Sequence, residues 1–153
     1  MYKLVLLLIG FIQLTSGFYT RMTQYKLCNQ SKNVDVFGIE IEPCDTKPCT
    51  LYKGENTQIK ISFTANRPIN PGRVSVHGLI LGVPTPFPLD NPDVCPFLEP
   101  SCPLQPGTTY TYSYQLPVAK TYPSLQLTVK WELKDTAGET FLCVMMPVKL
   151  SSR

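Results

Sequence analysis

Between Pro84 and Pro106 the chain carries eight prolines, and that density decides much of what it can fold into. Proline has no N–H to offer a sheet ladder and fixes its own φ, so neither a helix nor an interior strand can run through such a segment. The apolar stretch from Val74 to Val83 just ahead of it reads as a strand. That strand is expected to leave its sheet near Val83, where the alternation Val83-Pro84-Thr85-Pro86-Phe87-Pro88 begins. The proline segment reads as a stiff extended wall and an ordered loop rather than a linker, with Val83, Thr85 and Phe87 projecting from one side. A rigid apolar lip at a sheet edge suits a binding mouth better than a catalytic centre.

The rest of the chain has a period of two, which puts one set of side chains inside and the other in water. Ile59, Ile61 and Phe63 alternate with polar residues, as do Tyr110, Tyr112, Tyr114 and Leu116. Leu125, Leu127, Val129, Trp131 and Leu133 form a third such series. Phe141 to Leu150 is apolar on both faces and reads as a central strand, and Val34 to Ile41 as a weaker strand. The separators are turn chemistry: Lys53-Gly54-Glu55-Asn56, the segment from Asn66 to Gly72 with Pro68 and Pro71, and Asp135 to Glu139. The fold class expected is all-β, with two antiparallel sheets packed face to face in a single domain.

The first residues read as a secretory leader. Lys3 supplies the positive start, Leu4 to Ile12 the short apolar run, and Thr15-Ser16-Gly17 the small residues for cleavage. Residues 1–17 are therefore assigned to a signal peptide and 18–153 to the mature domain, roughly 135 residues, enough for one core. All six cysteines fall in the mature part, and an even count behind a leader reads as three disulfides. Six cysteines allow about fifteen pairings. Spacing favours Cys44 with Cys49 and Cys95 with Cys102, which leaves Cys28 to join Cys143. A metal site is the weaker alternative, because the chain has no C-x-x-C pair and one histidine, His77.

The formal net charge is +3 at pH 7, with the basic residues scattered, so nucleic acid is not an expected partner. His77 lacks any motif that would supply a nucleophile and an orienting carboxylate, and a structural role with a hydrogen-bonded ring is expected. Asn29-Gln30-Ser31 is an N-glycosylation acceptor, useful where exposed and crowded by the neighbouring Cys28. The inward residues are long and aromatic, which a solid sandwich could use as core. Three tyrosines on one strand face also suit a hollow with a wet rim, since buried hydroxyls need partners.

Taken together, several short signatures resemble the ML-domain lipid-recognition family in its Niemann–Pick type C2 branch. They are Cys28; Pro43-Cys44 with Pro48-Cys49; Leu51 with Lys53-Gly54; Val76-His77-Gly78 through Gly82-Val83-Pro84 and Pro86-Phe87-Pro88; Asp93 with Cys95; Cys102-Pro103; Leu116-Pro117-Val118; Tyr122-Pro123-Ser124; Trp131; and Cys143 followed by Pro147-Val148. The resemblance implies an immunoglobulin-like β-sandwich whose sheets part to hold one sterol, and the three disulfide pairings above. It implies that Phe87, Val118 and Tyr122 guard the entrance with Pro117 beside them, and that Ile41, Ile59, Val76, Val83 and Trp131 line the tunnel. Asp93 matches a rim position and is carried as a partner contact. The family's role implies a monomeric, cofactor-free carrier of the late endosome, lysosome or secreted fluid. Such a carrier touches membranes transiently and hands sterol to a lysosomal membrane transporter. The alternative expectation is a secreted module for another lipid, such as a fatty acid or microbial glycolipid, in innate immunity or chemosensation; an enzyme is disfavoured. The chain departs from the family pattern at Thr85, Pro96 and Val144.

Overall fold

The computed structural model describes residues 23–153, and the expected leader at 1–17 lies outside the described residues. Within them the chain runs β1 (Lys26–Leu27), β2 (Val34–Glu42), β3 (Cys49–Tyr52), β4 (Asn56–Ala65), β5 (Pro71–Ile80), β6 (Val83–Pro86), a 3-10 turn (Cys95–Phe97), β7 (Leu98–Glu99), β8 (Thr109–Pro117), β9 (Leu125–Asp135) and β10 (Thr140–Ser151). One sheet has the order β1-β10-β9-β5-β6, with β3 added beside β10; the other has the order β2-β4-β8-β7. Every ladder among the described residues is antiparallel except β3 on β10, which is parallel, so the antiparallel expectation holds with that one exception.

The alternation seen in sequence is the burial pattern of the strands. In β4 every second residue from Thr57 to Ala65 is buried, and in β8 Tyr110, Tyr112, Tyr114 and Leu116 are. Ile39, Ile61, Phe63, Tyr112, Trp131 and Leu133 are fully enclosed where the two sheets face each other. β10 lies between β9 and the pair β1 and β3, the central place expected of it, and it is buried on both faces from Phe141 to Val144 before alternation resumes. β2 explains a parity change: Val34 is buried on one side of a register shift between Val36 and Gly38, and Ile39 and Ile41 on the other. An extra residue in a bulge flips the alternation, and here it turns Phe37 out to solvent.

The proline ladder behaves differently from the expectation. The strand does not leave its sheet at Val83. It ends at Ile80, reverses through Leu81 and Gly82, and returns as β6, with Leu79 opposite Pro84 and His77 opposite Pro86. Both turn residues have positive φ, 50° and 78°, the requirement of a two-residue hairpin turn matched to strand twist. Prolines are tolerated in β6 because it is the edge of its sheet, where a missing N–H breaks no second ladder.

The disulfides join Cys28 to Cys143, Cys44 to Cys49 and Cys95 to Cys102. The first ties the edge at β1 to β10, and the other two brace the approach to β3 and the 3-10 turn.

Candidate functional site

The tight packing around Trp131 does not continue along the whole sandwich. Towards the start of β9 the sheets enclose a cavity of about 290 Å³. Its floor is the inner face of the larger sheet: Val76 and Gly78 on β5, Leu125, Leu127 and Val129 on β9, and Val148 on β10. Leu51, Leu150 and Leu116 close the sides. Cross-strand register makes this surface continuous, with Leu127 opposite Val148 and Leu125 opposite Leu150. Gly78 is part of its design. A Cβ there would stand 2.9 Å from Leu127 Cδ1, so a larger residue would push Leu127 across the cavity.

Thr85, Phe87, Pro88, Val118, Tyr122 and Pro123 form the mouth. The Phe87 and Tyr122 rings meet edge-on with centroids 5.3 Å apart. Outside them lies an open vestibule of about 320 Å³ that shares Phe87, Val118 and Tyr122 with the inner cavity and adds Pro117, Asp90 and Lys120. The aromatic pair thus stands between an antechamber of mixed polarity and an apolar interior.

Each side of the mouth is held by backbone hydrogen bonds. The Phe87 N–H donates to the Val76 carbonyl at 2.9 Å, docking the proline segment onto β5. The opposite lip, residues 118–122, is fastened to the β3–β4 turn. Gly54 N–H donates to the Val118 carbonyl at 2.6 Å, Val118 N–H to the Glu55 carbonyl at 2.9 Å, and Lys53 Nζ to the Tyr122 carbonyl at 3.0 Å. The wall is almost wholly hydrocarbon, with Thr85 and Tyr122 supplying the hydroxyls of the mouth. Burial raises the Tyr122 phenol above its ordinary pKa. Such a surface can enclose an apolar guest and touch one polar group at the rim.

Val76, Phe87, Val118 and Tyr122 come together around the cavity, and Pro117 sits in the vestibule. The other expected wall residues do not. Ile41, Ile59 and Trp131 are packed core, buried where the sheets are in contact rather than parted. Val83 is 63% exposed on the outer edge, because the hairpin at Leu81 reverses the chain before it can turn inward. Asp93 is exposed and pairs through its backbone with Arg73 in an isolated β-bridge, whereas Glu55 and Asp90 are the acids that line the vestibule. His77 alternates away from Val76, and its ring takes no hydrogen bond from the described residues, contrary to the expected anchored ring.

The sequence reading missed Leu51, Leu116, Val129, Val148 and Leu150 as wall residues. The alternation of β9 and β10 marked several as inward, but nothing in it separates an inward residue that touches the opposite sheet from one that faces a void. Of the three inward tyrosines, Tyr114 lines the vestibule. Tyr110 accepts from Gln105 N–H at 2.7 Å and Tyr114 from Asn91 N–H at 3.4 Å, so two of the three tie the proline-rich loop to β8.

A family model described as ML domain matches residues 22–150. The chain is 31% identical over 142 residues to NPC intracellular cholesterol transporter 2 of Bos taurus, covering 93% of this chain and 94% of that one. It is 39% identical over 114 residues to the protein of the same name from Sus scrofa, covering 74% and 76%. Its structure superimposes on a Niemann-Pick type C2 protein from Japanese carpenter ant with TM-score 0.75 and 27% identity, covering 84% of this chain and 99% of that one.

Proposed function

This chain belongs to the ML-domain family, and from that premise we propose that it is a carrier of one sterol-like lipid. The guest enters between Phe87 and Tyr122, lodges against Val76, Leu127 and Val148, and leaves by the same mouth. The observation that carries this reading is the cavity itself: a hydrocarbon-walled chamber behind an aromatic pair, with hydroxyls only at the rim. Each 100 Å² of apolar surface the guest buries is worth about 2.5 kcal/mol before association costs. At about 290 Å³ the chamber lies at the small end of ligand pockets, which run from about 300 to 1,000 Å³. A rigid guest therefore enters by turning the two rings aside and spreading the parted end of the sandwich. The names of the bovine and porcine relatives favour cholesterol as the guest. The wall favours nothing so narrow, because an apolar pocket discriminates between similar shapes by only ~1–3 kcal/mol per methylene.

The protein works as a secreted or lysosomal monomer without enzymatic activity, and it exchanges lipid at membranes. The turn between β5 and β6 supports that contact: Leu81 is 99% exposed, directly beside Ile80, which lines the cavity. A fluorescent sterol should be taken up at one per chain. Phe87→Ala and Val118→Ala should weaken uptake roughly tenfold, the loss of about 1.4 kcal/mol of contact, with the fold intact by circular dichroism. Binding by both variants equal to that of the parent overturns the assigned mouth. Mass spectrometry of lipid extracted from the native protein separates a sterol from a fatty acid or glycolipid.

A further inference from the structure

On the outer face of the larger sheet, away from the cavity floor, lies a second concavity of about 590 Å³. His77, Lys130 and Met145 stand in one cross-strand row on its floor. Leu79, Pro84 and Leu27 give it apolar shoulders, and Leu27 is 49% exposed. Glu132, paired with Lys130 at 3.4 Å, gives it an acceptor. Asn29 and Gln30 form part of its rim, and Asn29 is exposed. It opens the only Asn-x-Ser/Thr acceptor in the sequence.

We propose that Asn29 carries an N-linked glycan whose first sugars lie along this groove. The mixed lining fits a sugar, whose C–H faces pack on leucine, proline and methionine while its hydroxyl and acetamide groups meet His77, Lys130 and Glu132. Attachment is a glycosyl transfer from a lipid-diphosphate-linked oligosaccharide. The Asn29 side-chain nitrogen bonds to C1 of the terminal N-acetylglucosamine. The C1–O bond breaks, the lipid diphosphate leaves with its electron pair, and the amide nitrogen gives up one proton to a base of the transferase.

The fold fixes when this must happen. Ser31 Oγ donates to the Cys143 carbonyl at 2.9 Å and accepts from the Cys143 N–H at 2.7 Å, so the acceptor hydroxyl is committed in the finished protein. Cys143 lies 115 residues after Cys28, and the acceptor emerges long before the disulfide beside it can close. The crowding expected from Cys28 therefore does not arise at the moment of transfer. In the folded state the glycan covers the apolar shoulders that the sheet otherwise shows to solvent.

His77, the only histidine, reports on the groove. The full chain secreted from a eukaryotic host should lose the mass of one glycan on enzymatic release of N-linked sugar. Diethylpyrocarbonate should then modify His77 several-fold faster, with exposed Lys47 unchanged as the reference. Asn29→Gln should give the same fast rate while leaving Ser31 to brace Cys143. A secreted chain without a glycan on Asn29 overturns the proposal. So does a His77 rate that is the same with and without the sugar. His77 also borders the lipid cavity, so both rates are read on delipidated protein; the glycan mass does not involve that cavity, and its failure leaves the carrier reading standing.

Discussion

Tyr110 and Tyr112 point the same way from β8 and are equally buried, yet only Tyr110 has partners for its hydroxyl. It accepts from Gln105 and donates to the Pro103 carbonyl at 3.4 Å, whereas Tyr112 Oη and the nearby Trp131 Nε1 have none among the described residues. Removing a satisfied hydroxyl loses a hydrogen bond worth about 0.5–1.5 kcal/mol, while removing an orphaned one loses nothing and relieves a desolvation cost. Tyr110→Phe should therefore destabilise by about 1 kcal/mol in urea denaturation, and Tyr112→Phe should be neutral or stabilising. Burial also pushes the Tyr112 phenol well above its ordinary value. Proton counts give the sign of the pH effect. Above pH about 10 the unfolded chain sheds this proton while the folded chain keeps it, so stability present below that pH is lost as pH rises. Melting temperatures between pH 9 and 11 should fall less steeply for Tyr112→Phe than for the parent; equal slopes would refute the assignment. The period of two announced three inward tyrosines. It was silent on which hydroxyl the proline-rich loop would reach, because that loop's path is a tertiary matter.

The lips of the mouth are short elements held by few bonds, and so they set exchange. Lys53 Nζ on the Tyr122 carbonyl is the one side-chain clamp on the outer lip among the described residues. A hydrogen bond from a charged donor is worth about 1.5–3 kcal/mol, and each 1.4 kcal/mol is tenfold in a rate or equilibrium. Lys53→Met keeps the aliphatic stem and should speed release of bound sterol by about tenfold with little change in melting temperature. Unchanged stopped-flow release would show that residues 118–122 are not the gate. The opposite lip depends on the hairpin that the sequence concealed. Asn-Gly would have signalled a turn with positive φ at both positions, but Leu81-Gly82 does not, and a leucine at φ 50° carries a cost. Leu81→Asn should accordingly raise stability by about 0.5–1 kcal/mol. The same change removes the exposed apolar tip, so association with lipid vesicles should drop. Retained vesicle binding would place the membrane contact elsewhere.

At the scale of the molecule, the sheets, their alternation and the central place of β10 were legible because burial writes itself into the sequence as periodicity. The hollow was not, since Leu127 and Trp131 carry the same pattern and differ only in how far apart the sheets stand around them. The molecule is also held covalently, and its three disulfides do unequal work. Cys44–Cys49 and Cys95–Cys102 close sequence separations of 5 and 7 residues, and Cys28–Cys143 closes one of 115. In the chain-entropy account the stabilisation grows with the logarithm of loop length, so the long bridge exceeds the short ones by about 2–3 kcal/mol. Cys28→Ala with Cys143→Ala should therefore lower the guanidinium midpoint much more than Cys44→Ala with Cys49→Ala. Each double variant is compared with the oxidised parent, so thiol chemistry does not enter. Cys143 is fully buried, and its truncation adds a packing loss in the same direction. Restoring volume with Cys143→Val alongside Cys28→Ala separates the two contributions: the packing share should return and the entropic share should not. Recovery to the parent's midpoint in that variant would mean that the bridge acts only as core filling, and that the sandwich holds its ends together without it.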